Sequence, residues 1–295
     1  LSLKAQDYSD FELVIVIDKP ANYTNEVELL NCLEEFKADF PIRIIQNKQC
    51  MGLTRNLNTA ARAATGDVFV RIDADDFCAG NRLSSLLPYF DAGLQLVGNA
   101  SQLVNTSGQN SGVYPSKTLS HEETFHKLTN LKRAVAHSAL AFSRSLFERL
   151  GGYDEHFTYA QDYDFLLRAL RETTANEFSI TSNVLTTVRL HEAAISQSKN
   201  RLAQIQFQLE ALATYRIKAA SIGDNYAPNW HYLFTDEILN STQWQRIIKA
   251  QNFKAKMRSA PKYRQLLTVA TQPSLLMDLA SQRRAMLQIV DRACR

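Results

Sequence analysis

Asp73-Ala74-Asp75-Asp76 follows the β-branched run Asp67–Ile72 (DVFVRI). At the end of a strand, residues i and i+2 point the same way, so Asp73 and Asp75 would aim two carboxylates at one place. Two close carboxylates repel unless a cation sits between them. Hard oxygens at such a point suit Mg²⁺ or Mn²⁺ carrying a phosphate. Read alone, the same residues are equally an acidic turn ahead of a helix starting near Asn81. Arg55, in Gly52-Leu-Thr-Arg55-Asn56, is a guanidinium suited to a phosphate or a base edge. The plainer alternative is a surface arginine on a capped helix. Gly151-Gly-Tyr-Asp154-Glu155 precedes Gln161-Asp162-Tyr-Asp164. On a helix, residues two apart diverge by ~200°, so Asp162 and Asp164 serve different neighbours. Asp164 has Arg168 four residues on, the spacing of an ion pair, which leaves Asp162 the freer acid. A helix N-terminus favours its ionised form, and an ionised carboxylate can take a hydroxyl proton. A solvated capping acid is the alternative. Val188-Arg189-Leu190-His191 ends a further run, and a lone histidine there is more often structural than a ligand.

The elements that must hold these residues alternate. Phe11–Ile17 (FELVIVI) reads as a strand buried on both faces. A helix is expected from Asn25, with Glu28 three residues on as its capping partner. Ile42–Ile45 is a second strand, and Leu53–Ala64 is an alanine-rich helix closed by Gly66. Asp67–Ile72 is a third strand. Strand, helix, strand, helix, strand implies right-handed crossovers and a parallel sheet covered by helices. Ligands of such sheets bind at the carboxyl ends of the strands, where Asp18 and the Asp73–Asp76 group stand. Short strands fill 94–113, His121–Leu131 is helical, and Ala136–Phe142 is strand-like. Ser145–Leu150 and Asp162–Glu172 are helices, and Phe178–Leu190 is a strand. Nearly everything after Lys199 is helix-forming.

The 295 residues suffice for one large or two small domains. The longest pure aliphatic run, Leu13–Ile17, falls far short of the ~20 residues that a spanning helix needs. Four cysteines stand far apart without a CxxC pair, which argues against a disulfide framework or zinc knuckle and for a reducing compartment. The net charge of +3 hides a split. Residues 241–295 carry 11 basic and 2 acidic side chains, and the first 240 carry 22 and 28. An acidic body thus joins a basic tail.

Taken together, LKAQDYSDFELVIVID, NKQCMGLTRNLNTAARAATGDVFVRIDADD, LFERLGGYDEHFTYAQDYDFLLRA and VRLHEAAIS resemble the motifs of family 2 glycosyltransferases of the GT-A fold. The resemblance covers residues 1–199. It implies an α/β, Rossmann-like, mostly parallel sheet covered by helices over 1–198, whose first strand would lie upstream of Leu1; the helix-forming residues 199–295 read as a helical extension. It also implies an inverting, metal-dependent hexosyl- or related transferase. The donor is a nucleotide sugar, a UDP-sugar by family prevalence, and the acceptor a glycan or lipid-linked hydroxyl in cell-surface polysaccharide synthesis. By motif match, Asp18 lies near the nucleotide base, Arg55 near base or phosphates, and Asp73 at the ribose. Asp75 binds Mn²⁺ or Mg²⁺, Asp162 is the base, and His191 sits at the metal or leaving phosphate. Lys19 stands where the family has a second acid, and Gln161 where it has Glu. The competing readings are a catalytically weak nucleotide- or sugar-binding module and a sugar-phosphate nucleotidyltransferase.

The basic tail suggests a cytoplasmic protein peripheral on the inner face of the membrane. Basic residues near an anionic surface contribute ~1 kcal/mol each, and no nucleic-acid motif accompanies the charge. A solvated face packed on the acidic body is the alternative. The full chain should co-sediment with anionic liposomes at low salt more than with neutral ones, and a chain ending at 240 should not. Equal binding to both vesicle types removes the membrane role.

Overall fold

The computed structural model describes residues 2–18, 39–190 and 201–220. The helix expected from Asn25, Lys19, His191 and the basic tail lie outside them. The chain divides into two units, Leu1–Leu128 with Arg133–His191, and Thr129–Lys132 with Glu192–Arg295. Of the second unit, the helix Arg201–Ala220 (α6) is described.

In the first unit the elements are β1 (Leu13–Ile17), β2 (Ile42–Gln46), α1 (Leu53–Ala63), β3 (Val68–Val70), β4 (Phe77–Cys78) and α2 (Arg82–Asp91). There follow β5 (Leu96–Val104), β6 (Asn110–Tyr114), α3 (His121–Thr129), β7 (Leu140–Ser143), α4 (Arg144–Arg149), α5 (Gln161–Glu172) and β8 (Phe178–Arg189). β1 and β2 pair in parallel, from Leu13 opposite Ile42 to Ile17 opposite Gln46. The larger sheet runs β3-β7-β5-β8-β4, with β6 on β5. This is the expected α/β arrangement of strands and helices, but the pairing is mixed. β5 and β8 are parallel, whereas β7 lies antiparallel between β3 and β5. β7 leads straight into α4 and arrives from a 3₁₀ turn at His137–Ala139, so no crossover helix sets its direction. That turn also occupies the first half of the strand expected over 136–142. β1 is half-buried at every residue rather than buried, since among the described residues it pairs on one side.

The core sits where β5, β7 and β8 meet α5. Leu96, Leu140, Phe142, Phe165 and Ile180 are buried there, while Val97 and Ala141 pack with Leu86 of α2 and Leu185. Phe165 packs against Phe142 at 4.8 Å and Tyr153 at 4.6 Å between ring centres, so α5 is fixed by a cluster of large aromatic rings.

The end of α1 differs from the expected glycine closure. Ala64 is extended (φ −67°, ψ 152°), and Glu12, the residue before β1, supplies the cap. Glu12 accepts the backbone N–H groups of Thr65 and Gly66 and the Thr65 hydroxyl. The Thr65 hydroxyl, more than any other group, holds its carboxyl below the ordinary value. Arg144 donates to the carbonyls of Ala64 (2.9 Å) and Gly66 (2.6 Å). The chain end beyond α1 is thus clamped by one acid and one base, which suits unpaired backbone donors and acceptors.

Candidate active site

β3 stops at Val70, three residues before Asp73. Residues 73–76 form a turn closed by the Asp76 N–H to the Asp73 carbonyl (3.1 Å). The strand argument for Asp73 and Asp75 therefore does not apply, and the three acids have separate surroundings. Asp73 is half-buried and ion-paired with Arg71. Asp75 is exposed. Asp76 is buried, accepting the Ser138 hydroxyl (2.5 Å) and the Arg189 N–H (3.0 Å). Burial raises the Asp76 carboxyl above its usual range, and Asp73 and Asp75 add to the rise. Ser138 also accepts from Arg82 (2.8 Å) through its carbonyl. Arg82 is 1% exposed, and burial lowers its guanidinium to about 10. Its charge answers Asp76 beneath the turn. Arg71, Ser138 and Arg82 thus support the turn from below, leaving Asp75 at the surface.

α5 opens on Ala160 in the left-handed region (φ 56°). Such a conformation is costly for a residue with a Cβ and marks a backbone fixed by its surroundings. It follows that Asp162 enters in the first turn. Asp164 takes Arg168 as its partner (2.6 Å), as the spacing predicts. Arg168 also donates to the carbonyls of Leu150 and Gly152, both at 2.9 Å, so this pair anchors the 150–152 corner. Asp162 is half-buried and differs from expectation in its electrostatics. Burial pushes its carboxyl up, more than Arg133 and the N–H groups of Tyr163 and Asp162 itself pull it down. Asp73 pushes it further up. The acidic turn and the helix start therefore lie within electrostatic reach of each other. Below them Tyr153 shares a hydrogen bond with His137 (3.0 Å). Burial holds the imidazole well below its usual range and the phenol above its own.

Two other candidate residues, Asp18 and Arg55, stand at the start of α1. Asp18 accepts Asn47 (3.0 Å), the Met51 N–H (2.7 Å) and the Gly52 N–H (2.9 Å). Burial alone would raise its carboxyl, but these bonds prevail and lower it. Arg55 is exposed and pairs with Glu155 at 3.1 Å. Two α1 residues that spacing does not single out matter more for assembly. The Thr54 hydroxyl donates to the Phe157 carbonyl (2.5 Å). Asn58 exchanges two bonds with the Tyr153 backbone, each 2.8 Å. A sequence signal existed for Arg71, two residues before Asp73. None existed for Asn58, Ser138 or Arg82, whose partners are remote along the chain.

Gly152 has φ +81°, and a Cβ there would lie 2.8 Å from Asn58 Oδ1 and 3.0 Å from Phe147 Cζ. Asn58 cannot yield without losing both bonds to Tyr153. Gly152→Ala should therefore destabilise the chain by about 2–4 kcal/mol, read by urea unfolding. A change below ~0.5 kcal/mol would mean that the corner is looser than its bonds imply.

The fold has solved counterparts. S. aureus TarS in complex with UDP superposes with TM-score 0.56 at 15% identity, covering 98% of this chain and 84% of that one. The mannosyltransferase PcManGT from Pyrobaculum calidifontis, in complex with GDP-Man and Mn²⁺, gives 0.55 at 19%, covering 99% and 80%. Both are glycosyltransferases of the GT-A fold. In sequence, the O-antigen biosynthesis glycosyltransferase WbnJ of Escherichia coli is 28% identical over 67% of this chain and 75% of its own. The amylovoran biosynthesis glycosyltransferase AmsE of Erwinia amylovora is 24% identical over 57% and 61%. No helix among the described residues is long and apolar enough to cross a membrane. The family model for glycosyl transferase family 2 matches residues 1–151, half of the chain, and the chain belongs to that family.

Proposed function

We propose that the chain is an inverting, metal-dependent transferase that moves a sugar from a nucleotide diphosphate donor to a hydroxyl of a glycan or lipid-linked acceptor. The observation that carries this is that Asp73 of the acidic turn lies within electrostatic reach of Asp162. One side presents an exposed carboxylate, and the other a half-buried one with raised proton affinity. Asp162 takes the proton of the acceptor hydroxyl. The hydroxyl oxygen then bonds to the sugar's anomeric carbon from the face opposite the diphosphate. The bond from that carbon to the phosphate oxygen breaks, its electron pair leaves with the diphosphate, and the configuration inverts.

The donor set fits a hard divalent ion in a limited way. No group of three or more His, Cys, Asp or Glu residues suited to a metal occurs among the described residues. Asp73 and Asp76 lie deeper, bonded to Arg71, Ser138 and the Arg189 N–H, and Asp75, the exposed carboxylate of the turn, would hold the ion. Mg²⁺ and Mn²⁺ suit such a site, since phosphates and water complete their shell. Bound there, the ion would neutralise charge on the leaving diphosphate. Asp73 faces the ribose and Arg55 the base or phosphates. Asp18 holds the 47–52 loop beside the base. The O-antigen and amylovoran relatives support a cell-surface polysaccharide acceptor, met at the inner face of the membrane.

The test is a thermal-shift screen of UDP-, GDP- and dTDP-sugars with and without Mn²⁺, followed by product analysis. A donor at 100 times its Kd stabilises by ~2.7 kcal/mol. Release of free nucleoside diphosphate supports the transferase. Pyrophosphate release means a nucleotidyltransferase, and a shift without turnover means a binding module.

A further inference from the structure

A cluster of aromatic and basic side chains stands next to Asp162 and has no part in the chemistry above. Tyr114 ends β6, and its hydroxyl donates to the Arg133 carbonyl. The Arg133 guanidinium lies 5.8 Å from the centre of the Tyr114 ring, and Lys127 Nζ also lies 5.8 Å from it. Among the described residues neither cation forms an ion pair. Lys127 belongs to α3, whose Leu128 carbonyl accepts the Tyr163 hydroxyl at 2.5 Å. That bond ties the end of α3 to the first turn of α5, one residue from Asp162. Arg133 is near enough to Asp162 to favour its ionised form, yet makes no ion pair with it. An arginine that served only to neutralise the acid would close onto it. Here the guanidinium stays over the Tyr114 ring, with Nε donating to the Val135 carbonyl at 3.3 Å.

We propose that Arg133, Lys127 and Tyr114 form an acceptor subsite for a saccharide carrying an anionic group, a phosphate or a carboxylate. The inference rests on the transferase reading and names its acceptor class. Arg133 and Lys127 act on Asp162 and Glu123 only through space, so both keep hydrogen-bond donors for an anionic group. A guanidinium matches both phosphate and carboxylate with paired hydrogen bonds, and Lys127 adds a second charge. The Tyr114 ring, with both cations 5.8 Å from its centre, holds the two charges at one place.

The test is calorimetric titration of the full chain with three matched disaccharides: neutral, uronate-bearing and phosphate-bearing. At low salt an anionic member should bind at least ~10-fold tighter than the neutral one. The advantage should collapse in 0.5 M NaCl, as screening requires. It should also vanish in the Arg133→Ala/Lys127→Ala double variant and persist in Lys127→Arg. The tighter of the two anionic ligands identifies the source of the charge. Equal affinities, no detectable binding of any of the three, or a preference that survives the double variant would overturn the subsite. Nucleoside diphosphate release from the donor is measured separately, so loss of the transferase reading and loss of the subsite are told apart.

Discussion

Asp75→Ala should lower transfer by ~10³-fold or more, the scale on which a metal stabilises a leaving group. It should also remove the Mn²⁺-dependent part of nucleotide binding. Asp75 is the exposed acid of the turn, while Asp73 and Asp76 are engaged from below. The variant should keep its fold, because Asp75 is exposed and Ser138, Arg71 and Arg189 hold the turn through Asp73 and Asp76. Nucleotide titration with and without Mn²⁺ checks it. Wild-type affinity that still responds to the ion would place the metal elsewhere.

Asp162→Asn should lower kcat by ~10²–10⁴, the range for loss of a general base, with donor affinity nearly unchanged. Its companion effect is on stability. Burial raises the Asp162 carboxyl in the folded chain, so the unfolded chain gives up this proton first as pH rises. Below the ordinary carboxylate range both states hold the proton, and the acid has no cost. As pH climbs through the folded value, stability is lost, and at neutral pH the full cost of the buried charge is present. The asparagine variant should therefore melt higher than wild type at pH 7, and the gap should close in acid. In the wild type, the acid limb of kcat should lie above the usual carboxylate range, because the base must be ionised to act. Near-normal turnover in the variant would move the base, and Asp154 would be tested next.

Periodicity made the local elements legible. β1, β2, α1, α5 and β8 lie within a few residues of where apolar spacing predicts them, and the Asp164–Arg168 pair follows from helical geometry alone. Pairing was less legible, because alternation of strand and helix says nothing about a strand such as β7 that enters the sheet antiparallel. The strand-based orientation of Asp73 and Asp75 does not hold, for a related reason. β3 ends at Val70, so the two-residue repeat of a strand stops before Asp73. The supports of the acidic turn were out of view, since Ser138 is 62 residues from Asp76 and 56 from Arg82. The raised proton affinity of Asp162 also needs the fold, because burial, which a helix position does not reveal, is its largest cause.

The bonds from α1 to the 153–157 segment bear on how the chain acquires its shape. Thr54 and Asn58 are buried, and their partners arrive 103 and 95 residues later. Until then two polar side chains lack their native partners, and contacts of such long range slow the search for the native state. During synthesis, α1 cannot lock in place until the ribosome has released Phe157, several residues beyond the stretch that the family model matches. The α1 segment and the 153–157 segment are therefore joined in assembly, and they should fold as one cooperative unit.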